Sequence, residues 1–496
     1  MKPGDRGVIV ALCLLAAVRV FVYSAAFPFF NNVDEQAHFD LVIKYSHLEI
    51  PRQLERMSPE SCRYMALYAS PEYFRSPLDY PSGEIPPPLW TMPEEIRTAV
   101  LHNLNGCESR INHESSQAPL YYALAALWLQ IGRLCGLAGG ALLYWIRFLN
   151  AGLAAALVWL GYVVAKQTFP TERFVWLGVP LLLAVLPQDA YYAIQNDVLS
   201  PICFGLAFLG LVCWLRSEKP EAMLSIGTGL AVAAVCLVKV SNLPLLAVAA
   251  AAVLVPVWRW AKSGKLKAAL PSLALVLLSA GVPIALWVWW NLANFGDATA
   301  SAAKIELLGW THKPIAQWWP HPIFTPAGFA YYWSKLIPMF WRGELVWDMQ
   351  RLASPAVDAF YWISSALLAG AAAISLLPRF APNASERPAL ILAASSFFAS
   401  VAYLGLLSIA FDFGNSFYPS RALPYFISGR LMLGALIPFL LLYLHGLDWA
   451  ARRLRCAGAR WWLLAAMVLL MAGSQLVLNR VAFASAYNWF HLAGKG

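Results

Sequence analysis

Apolar stretches of about 20 residues recur along nearly the whole chain, separated by short polar segments. At 1.5 Å per helical residue, each is long enough to cross about 30 Å of hydrocarbon. We read spans at 7–29, 141–165, 172–192, 197–215, 222–240, 243–260, 268–292, 356–377, 388–410, 429–447 and 461–481. The predicted fold class is therefore an all-α polytopic membrane protein of about eleven transmembrane helices. Short Lys/Arg clusters at 166–173, 216–219, 259–267, 379–387 and 452–460, together with Lys2 and Arg6, read as cytoplasmic loops. They predict a cytoplasmic N-terminus and an external C-terminus. The run 118–137 could also span, but counting it would place every later basic loop outside. An interfacial or re-entrant helix on the external face fits the charges better.

Between the spans lie three longer external stretches, 30–117, 293–355 and 411–428. The first is the most polar part of the chain and is broken by Pro51, Pro59, Pro71, Pro77 and Pro86-Pro87-Pro88. Each proline removes a backbone donor and crowds the preceding turn, so short helices are expected there, such as one over 34–47, rather than one long one. We see no internal repeat or low-complexity linker. Residues 1–496 read as a single membrane domain with an external cap. The first run, 7–30, exceeds a signal-peptide core and reads as a signal anchor.

Composition agrees: 60% of the 496 residues are hydrophobic and 13% charged, with mean hydropathy +0.57. The net charge of +9 sits in the cytoplasmic clusters and does not point to nucleic acid. Most of the eight cysteines fall in spans or on the cytoplasmic side. Cys62 and Cys107 share the first external loop, where an oxidising compartment would let them pair. No cysteine or histidine spacing resembles a zinc site, and His102 and His113 read as solvated loop histidines. The 22 Trp and 20 Tyr read as interfacial belts and packing, although Trp287, Trp289, Trp290 and Trp341 fall toward the external face.

The candidate chemistry begins at Asn31-Asn32-Val33-Asp34-Glu35-Gln36-Ala37-His38-Phe39, just beyond the first span. On a helix Asp34 and His38 share a face, while Glu35 points roughly 100° away. Ionised side chains at an apolar boundary are costly unless paired or used. By the predicted topology Arg147, Lys239, Arg421 and Arg430, together with Gln195-Asn196-Asp197, meet Asp34 at the same membrane face. Snorkelling accounts for any one cation, Arg421 above all. Arg147, Lys239 and Arg430 together read as an anion site facing an acidic base, which suits a phosphate-bearing lipid substrate.

These residues resemble the motifs of the GT-C superfamily, membrane glycosyltransferases that use polyprenyl-phosphate sugars. Asp34-Glu35 resembles its catalytic carboxylate motif. His113-Glu114-Ser115-Ser116-Gln117-Ala118-Pro119-Leu120-Tyr121-Tyr122 is similar to a His-x-Pro-Leu-Tyr-Tyr stretch, with His113 further from Pro119 than usual. Tyr144-Trp145-Ile146-Arg147 resembles an arginine-bearing helix start that meets lipid phosphate. Asn196-Asp197 resembles an Asn-Asp turn. Trp290-Asn291 through Phe295-Gly296-Asp297 is similar to a Trp-x-x-Asn…Gly-Asp pattern, and Gly429-Arg430 to a Gly-Arg-Tyr element with Leu431 in place of tyrosine. The nearest likeness is to bacterial members related to protein O-mannosyltransferases and lipid A aminoarabinose transferases.

The resemblance implies a bacterial inner-membrane enzyme with a periplasmic site, moving a sugar with inversion from a polyprenyl-phosphate donor to a lipid, glycan or protein acceptor. It implies catalytic roles for Asp34, Glu35 and His38. Substrate-binding roles fall to Arg147, Lys239, Arg430, Asn196, Asp197, Arg421 and Asn291. No cofactor is certain; Asp34, Glu35 and Asp197 leave a divalent cation open. Two alternatives stay open: an oligosaccharide ligase or polymerase with a polyprenyl-diphosphate donor, and a proton-coupled transporter or lipid flippase. Against transport stands the lack of duplicated Gly/Pro-interrupted segments in the two halves.

Overall fold

The computed structural model describes residues 3–30, 34–218, 220–380, 386–416, 418–456 and 458–492. Expectations for Lys2, Lys219 and residues 31–33 and 381–385 fall outside the described residues. The chain begins with α1 (Pro3–Ala26) and then forms a cap of short helices: α2 (Glu35–Ser46), α3 (Pro59–Tyr68), α4 (Glu94–Leu101) and α5 (Asn105–Glu108). There follow α6 (Leu120–Leu134), α7 (Gly139–Thr168), α8 (Arg173–Ala184), α9 (Ser200–Arg216), α10 (Ala222–Val238), α11 (Leu243–Lys262) and α12 (Leu266–Phe295). A second loop region carries α13 (Ala302–Leu307) and α14 (Pro326–Arg342), and the bundle resumes with α15 (Pro355–Ser375), α16 (Arg387–Ala410), α17 (Leu436–Arg453) and α18 (Ala459–Leu478). Short α19 (Arg480–Ala484) and α20 (Trp489–Leu492) end the described chain. The strands are two-residue pairs: β1 (Thr311–His312) with β4 (Phe411–Asp412), and β2 (Val346–Trp347) with β3 (Gln350–Arg351).

This is an all-α multi-pass membrane protein. Among the described residues nine helices are long and apolar enough to cross a membrane. They match nine of the eleven expected spans. The other two, α8 and α10, are shorter. At 12 residues α8 reaches only about 18 Å, and beyond it residues 185–199 run as buried irregular backbone with two short 3-10 turns. Non-helical backbone at that depth survives only where protein groups satisfy it. Here Asn150 donates to the carbonyls of Tyr191 and Ala193 (3.1 and 2.9 Å), and Gln195 to that of Ala190 (3.0 Å). Arg19, inside α1, likewise donates to Ala184 O at 2.9 Å and reaches Tyr192 and Gln475. The run 118–137 forms the 15-residue α6, about 22 Å long. It packs against α2 and α7, tied to the latter by reciprocal Trp128–Trp145 hydrogen bonds and stacked rings 4.2 Å apart.

The core surrounds α17, whose span 429–453 is 89% buried, whereas α12 buries only 17% of its apolar stretch and presents the rest outward. Ion pairs Arg173–Asp5, Arg452–Glu172 and Arg460–Asp448 gather the basic connections at one end of the bundle. The three long loop regions meet at the other, where Lys304 pairs with Glu114, Asp348 N donates to Glu72 O and β1 pairs with β4, and the C-terminal Tyr487 reaches Pro86 O. The cap is stapled by a Cys62–Cys107 disulfide joining α3 to α5, with Cα atoms 5.8 Å apart. Gly429 lies so close to α14 that a Cβ there would fall 2.0 Å from Phe340 N. That contact seats the 3-10 turn Gly429–Ala435 and delivers Arg430 to the cap end.

Candidate active site

Asp34 occupies the N-cap of α2 with φ 66°, a left-handed conformation uncommon outside glycine, and makes no side-chain cap to its own helix. Its carboxylate is thereby turned to residues brought from far along the chain. Oδ1 accepts a hydrogen bond from His113 Nε2 at 3.0 Å, and Oδ2 from Arg430 Nη2 at 2.9 Å. His113 sits on a turn fastened to α2 by Asn112, whose Nδ2 donates to Ala37 O (2.9 Å) and Asp40 Oδ2 (2.7 Å) while Oδ1 accepts from Glu114 N (2.9 Å).

From Asp34 the charges alternate in both directions. On one side His113 lies 3.4 Å from Glu114, which pairs with Lys304 at 2.6 Å. On the other, Arg430 Nη1 donates to Gln195 Oε1 (3.0 Å) and Asp197 Oδ2 (3.2 Å), and both Asp197 oxygens accept from Lys239 Nζ at 2.7 Å. Three carboxylates are thus balanced by Lys304, Arg430 and Lys239, with His113 in addition. The Asp34 side chain is 26% exposed, against 4% for Glu114 and 1% for Asp197, so Asp34 is the carboxylate of this network open to a substrate.

Burial by itself would raise the Asp34 carboxyl. The His113 hydrogen bond and the Arg430, His113 and Lys304 charges hold it well below the usual carboxylate range. Burial works against Glu114 in the same way, and Lys304, His38 and His113 bring it down to about 2. Several buried polar atoms here have no protein partner among the described residues, namely Arg430 Nε, Asn196 Oδ1 and His38 Nε2.

Some expected site residues stand elsewhere. Glu35 and Arg147 are fully buried and locked to each other, Arg147 Nε and Nη2 meeting Glu35 Oε1 and Oε2 at 2.7 and 2.6 Å. Glu35 also accepts from Phe30 N and Ile194 N, both at 2.9 Å. Arg147 donates further to the carbonyls of Ser24, Phe27 and Pro28, and its guanidinium lies 3.8 Å over the Phe29 ring. With every donor engaged and no exposed surface, Arg147 is set as a clasp between α7 and the end of α1 instead of the expected phosphate clamp. Glu35 is the other half of that clasp. Arg421 pairs with Asp412 at 2.9 Å on the 411–428 loop, outside the network, and Asn291 closes its own loop by donating to Ala298 O at 3.0 Å. Asn196 joins the network's edge through Gln117, which bonds Glu114.

His38 does not bond Asp34. Its Nδ1 pairs with the Tyr122 hydroxyl at 2.7 Å, and burial pushes the imidazole from its ordinary 6.5 down to about 4. The sign follows from which state binds the proton: between pH 6.5 and 4 the unfolded chain takes it up and the folded chain does not, so stability falls as pH falls. Lowering the pH from 7.5 to 5 is expected to cost about 2 kcal/mol through this residue. His38→Gln should show correspondingly less acid destabilisation in a detergent unfolding series. An unchanged acid dependence would mean that His38 stays accessible to protons in the fold.

His113, Glu114, Lys304 and Gln195 join the site without having been assigned to it. His113 and Glu114 stand in the 113–122 motif, where His113 reads as a solvated loop histidine from sequence. Lys304 lies 190 residues from its partner Glu114, in a segment whose sequence carries no signal. One ligand atom each from Asp34, His113 and Glu114 lie within 4.8 Å of one another. Two carboxylate oxygens and an imidazole are a donor set that fits a divalent transition metal. Of the three expected carboxylate ligands only Asp34 belongs to it, because Glu35 is saturated by Arg147 and Asp197 by Lys239.

No family model matches the chain, and no curated protein does. Among solved structures it is similar to the oligosaccharyltransferase of Archaeoglobus fulgidus crystallised with Zn and sulfate, at 11% identity over 96% of this chain and 53% of that one, TM-score 0.41. The apo form of that enzyme aligns at 12% identity over 96% of this chain and 56% of that one, TM-score 0.40. Archaeal oligosaccharyltransferase AglB from Archaeoglobus fulgidus, in complex with an inhibitory peptide and a dolichol-phosphate, aligns at 12% identity over 95% and 56%, TM-score 0.37. The chain spans about half the length of these proteins, and at such TM-scores the likeness leaves the function to be argued from the chain's own residues.

Proposed function

We propose that this protein is an inverting glycosyltransferase of the bacterial plasma membrane. It would move a sugar from a polyprenyl-phosphate donor to an acceptor on the periplasmic side, with the N-terminus in the cytoplasm. The observation that carries this reading is the position of Asp34: a partly exposed carboxylate beyond the end of the first span, held by Arg430 and His113, with the cation Lys239 joined to Arg430 through Asp197. A polyprenyl phosphate leaves as a phosphate monoester, a weaker base than a sugar alkoxide. One base and a cationic clamp then suffice, without the second carboxylate of soluble glycosidases.

In this mechanism the acceptor oxygen or nitrogen attacks the anomeric carbon while its proton passes to Asp34. The bond from that carbon to the phosphate oxygen breaks, its electron pair leaving with the polyprenyl phosphate, and the anomeric centre inverts. Arg430 and Lys239 hold the phosphate, the arginine offering the planar fork that suits it. Without donor, Arg430 spends its charge on Asp34 and Asp197. A donor phosphate that recruits Arg430 relieves Asp34 of a stabilising cation and makes it a stronger base, so basicity rises when the donor is in place. Arg147 and Glu35 keep the Asp34 segment against the bundle. A divalent cation held by Asp34, His113 and Glu114 would supply Lewis-acid charge to a phosphate or sugar oxygen.

The membrane-embedded part of the donor also has room. A groove of about 1000 Å³ runs between α11 and α16, from Pro244 to Arg387. Pro244 is five residues from Lys239, and Ala247, Val248, Ala251 and Ile391 supply the apolar lining a long isoprenoid chain requires.

The test uses purified protein in lipid with a panel of radiolabelled polyprenyl-phosphate sugars, following label that leaves the lipid. Release from at least one donor is expected. Lys239→Gln should raise the donor KM by about tenfold or more, the worth of a lost charged hydrogen bond, with a smaller change in kcat. No release from any donor by folded protein would shift the reading to a polyprenyl-diphosphate oligosaccharide donor or to transport.

A further inference from the structure

A cavity with charged residues in its lining lies outside the Asp34 network. It measures about 360 Å³ and is formed where the 311–324 and 411–424 segments meet, held together by the β1–β4 pair. Its charged lining residues are Lys313, Asp412 and Arg421. Asp412 Oδ1 is engaged by Arg421 Nε (2.9 Å) and Gly414 N (3.0 Å). This bond uses the inner nitrogen of the guanidinium and leaves its two outer nitrogens without a protein partner among the described residues. Lys313 is fixed through its backbone, which donates to Ala410 O at 2.8 Å; its ammonium has no partner among the described residues. His321 adds no charge: it is bonded to Pro424 O (3.0 Å) and to Ile323 N (3.1 Å), and burial keeps it neutral. The cavity therefore carries one surplus positive charge and several unused N–H donors.

Apolar side chains are exposed close by in the same two segments: Ile315 (69%), Trp319 (72%), Phe324 (54%) and Leu423 (52%). Water gains nothing from such a fringe, but a membrane interface does. Trp and Phe settle at the boundary between headgroups and acyl chains, with cations level with the phosphates. A soluble anion would call for the cations alone.

We propose that this cavity binds the phosphate of an anionic lipid headgroup, with Arg421 and Lys313 on the phosphate oxygens and the Trp319–Phe324 fringe against the upper acyl chains. The site is separate from the Asp34 network and does not depend on the reaction assigned to it. Asp412 acts as a positioning residue that aims the outer guanidinium nitrogens into the cavity.

Native mass spectrometry of the full chain, released from detergent with equimolar phosphatidate and phosphatidylcholine, tests this. Phosphatidate should be retained preferentially, and the Arg421→Gln/Lys313→Gln double variant should lower its affinity by about tenfold while leaving phosphatidylcholine unchanged. Arg421 is exposed and Lys313 partly so, and neither pairs with a buried group, so the variant's melting temperature should match that of the parent. Lys265→Gln, which removes an exposed cation at the opposite end of the bundle, should leave phosphatidate retention intact. Trp319→Ala/Phe324→Ala, with both cations present, should also weaken phosphatidate. Unchanged retention in the Arg421/Lys313 variant would overturn the site. Displacement of phosphatidate by an equal concentration of glycerol 3-phosphate or inorganic phosphate would overturn the lipid assignment and make it a site for soluble phosphate.

Discussion

An Asp34→Asn enzyme is expected to transfer sugar about 10³-fold more slowly than the parent, within the range a positioned general base contributes. The amide is nearly isosteric and still accepts a hydrogen bond, so the fold around α2 should persist. Most of the loss should therefore appear in kcat, with donor binding largely retained. Two features make Asp34 the sensitive carboxylate. It is the partly exposed acid of the network, whereas Glu114 and Asp197 are buried against lysines. Its two oxygens are also aimed by His113 and Arg430 instead of being used to cap its own helix. Single-turnover release of labelled sugar measures the effect. Near-normal transfer by a verified, folded Asp34→Asn protein would remove Asp34 as the base and leave the charge network a purely structural feature.

The second large effect is on stability. Breaking the Glu35–Arg147 clasp, by Arg147→Met or Glu35→Gln, is expected to cost about 3–5 kcal/mol, because the surviving partner is left buried without its counter-charge. Replacing both residues by apolar ones should recover only part of this. Glu35 also accepts from Phe30 N and Ile194 N, and Arg147 satisfies carbonyls at the end of α1, so the double variant still strands backbone groups. Thermal or denaturant unfolding in one detergent, for both single variants and the double, measures this. A Glu35→Gln protein with parental stability but no transfer would return Glu35 to the catalytic machinery.

Adjacent acids thus receive opposite surroundings, and this shows where sequence reasoning reaches and where it stops. Asp34 and Glu35 are equivalent as letters beside an apolar run. One is turned outward by a left-handed φ; the other begins α2 and points into the bundle, where Arg147 awaits it. Arg147 and Arg430 are similarly alike in sequence, each a lone arginine at the start of an apolar stretch. Their fates divide because Arg147 meets Glu35 and three carbonyls in a sealed pocket, whereas the close packing of Gly429 on α14 carries Arg430 to the edge of the cap. Arg421 follows Asp412 to a different cavity altogether. His113 reads in sequence as a solvated loop histidine, but the turn anchored by Asn112 on α2 sets it against Asp34.

The sequence by itself determined what depends on local composition. Hydrocarbon demands runs of about 20 apolar residues, so nine of the eleven spans could be read directly. Proline density predicted a broken cap, and ionised residues at apolar boundaries marked the face where the charge network forms. Only the tertiary structure decided which charges meet. Asp34 and Arg430 are 396 residues apart, and Glu114 and Lys304 190. The third span, too, ends in irregular backbone that distant side chains satisfy, among them Arg19, Asn150, Gln195 and Glu35. The physical reason is range. Hydropathy acts on each segment separately, whereas the pairing of a buried charge depends on which side chain the folded bundle sets within about 3 Å of it.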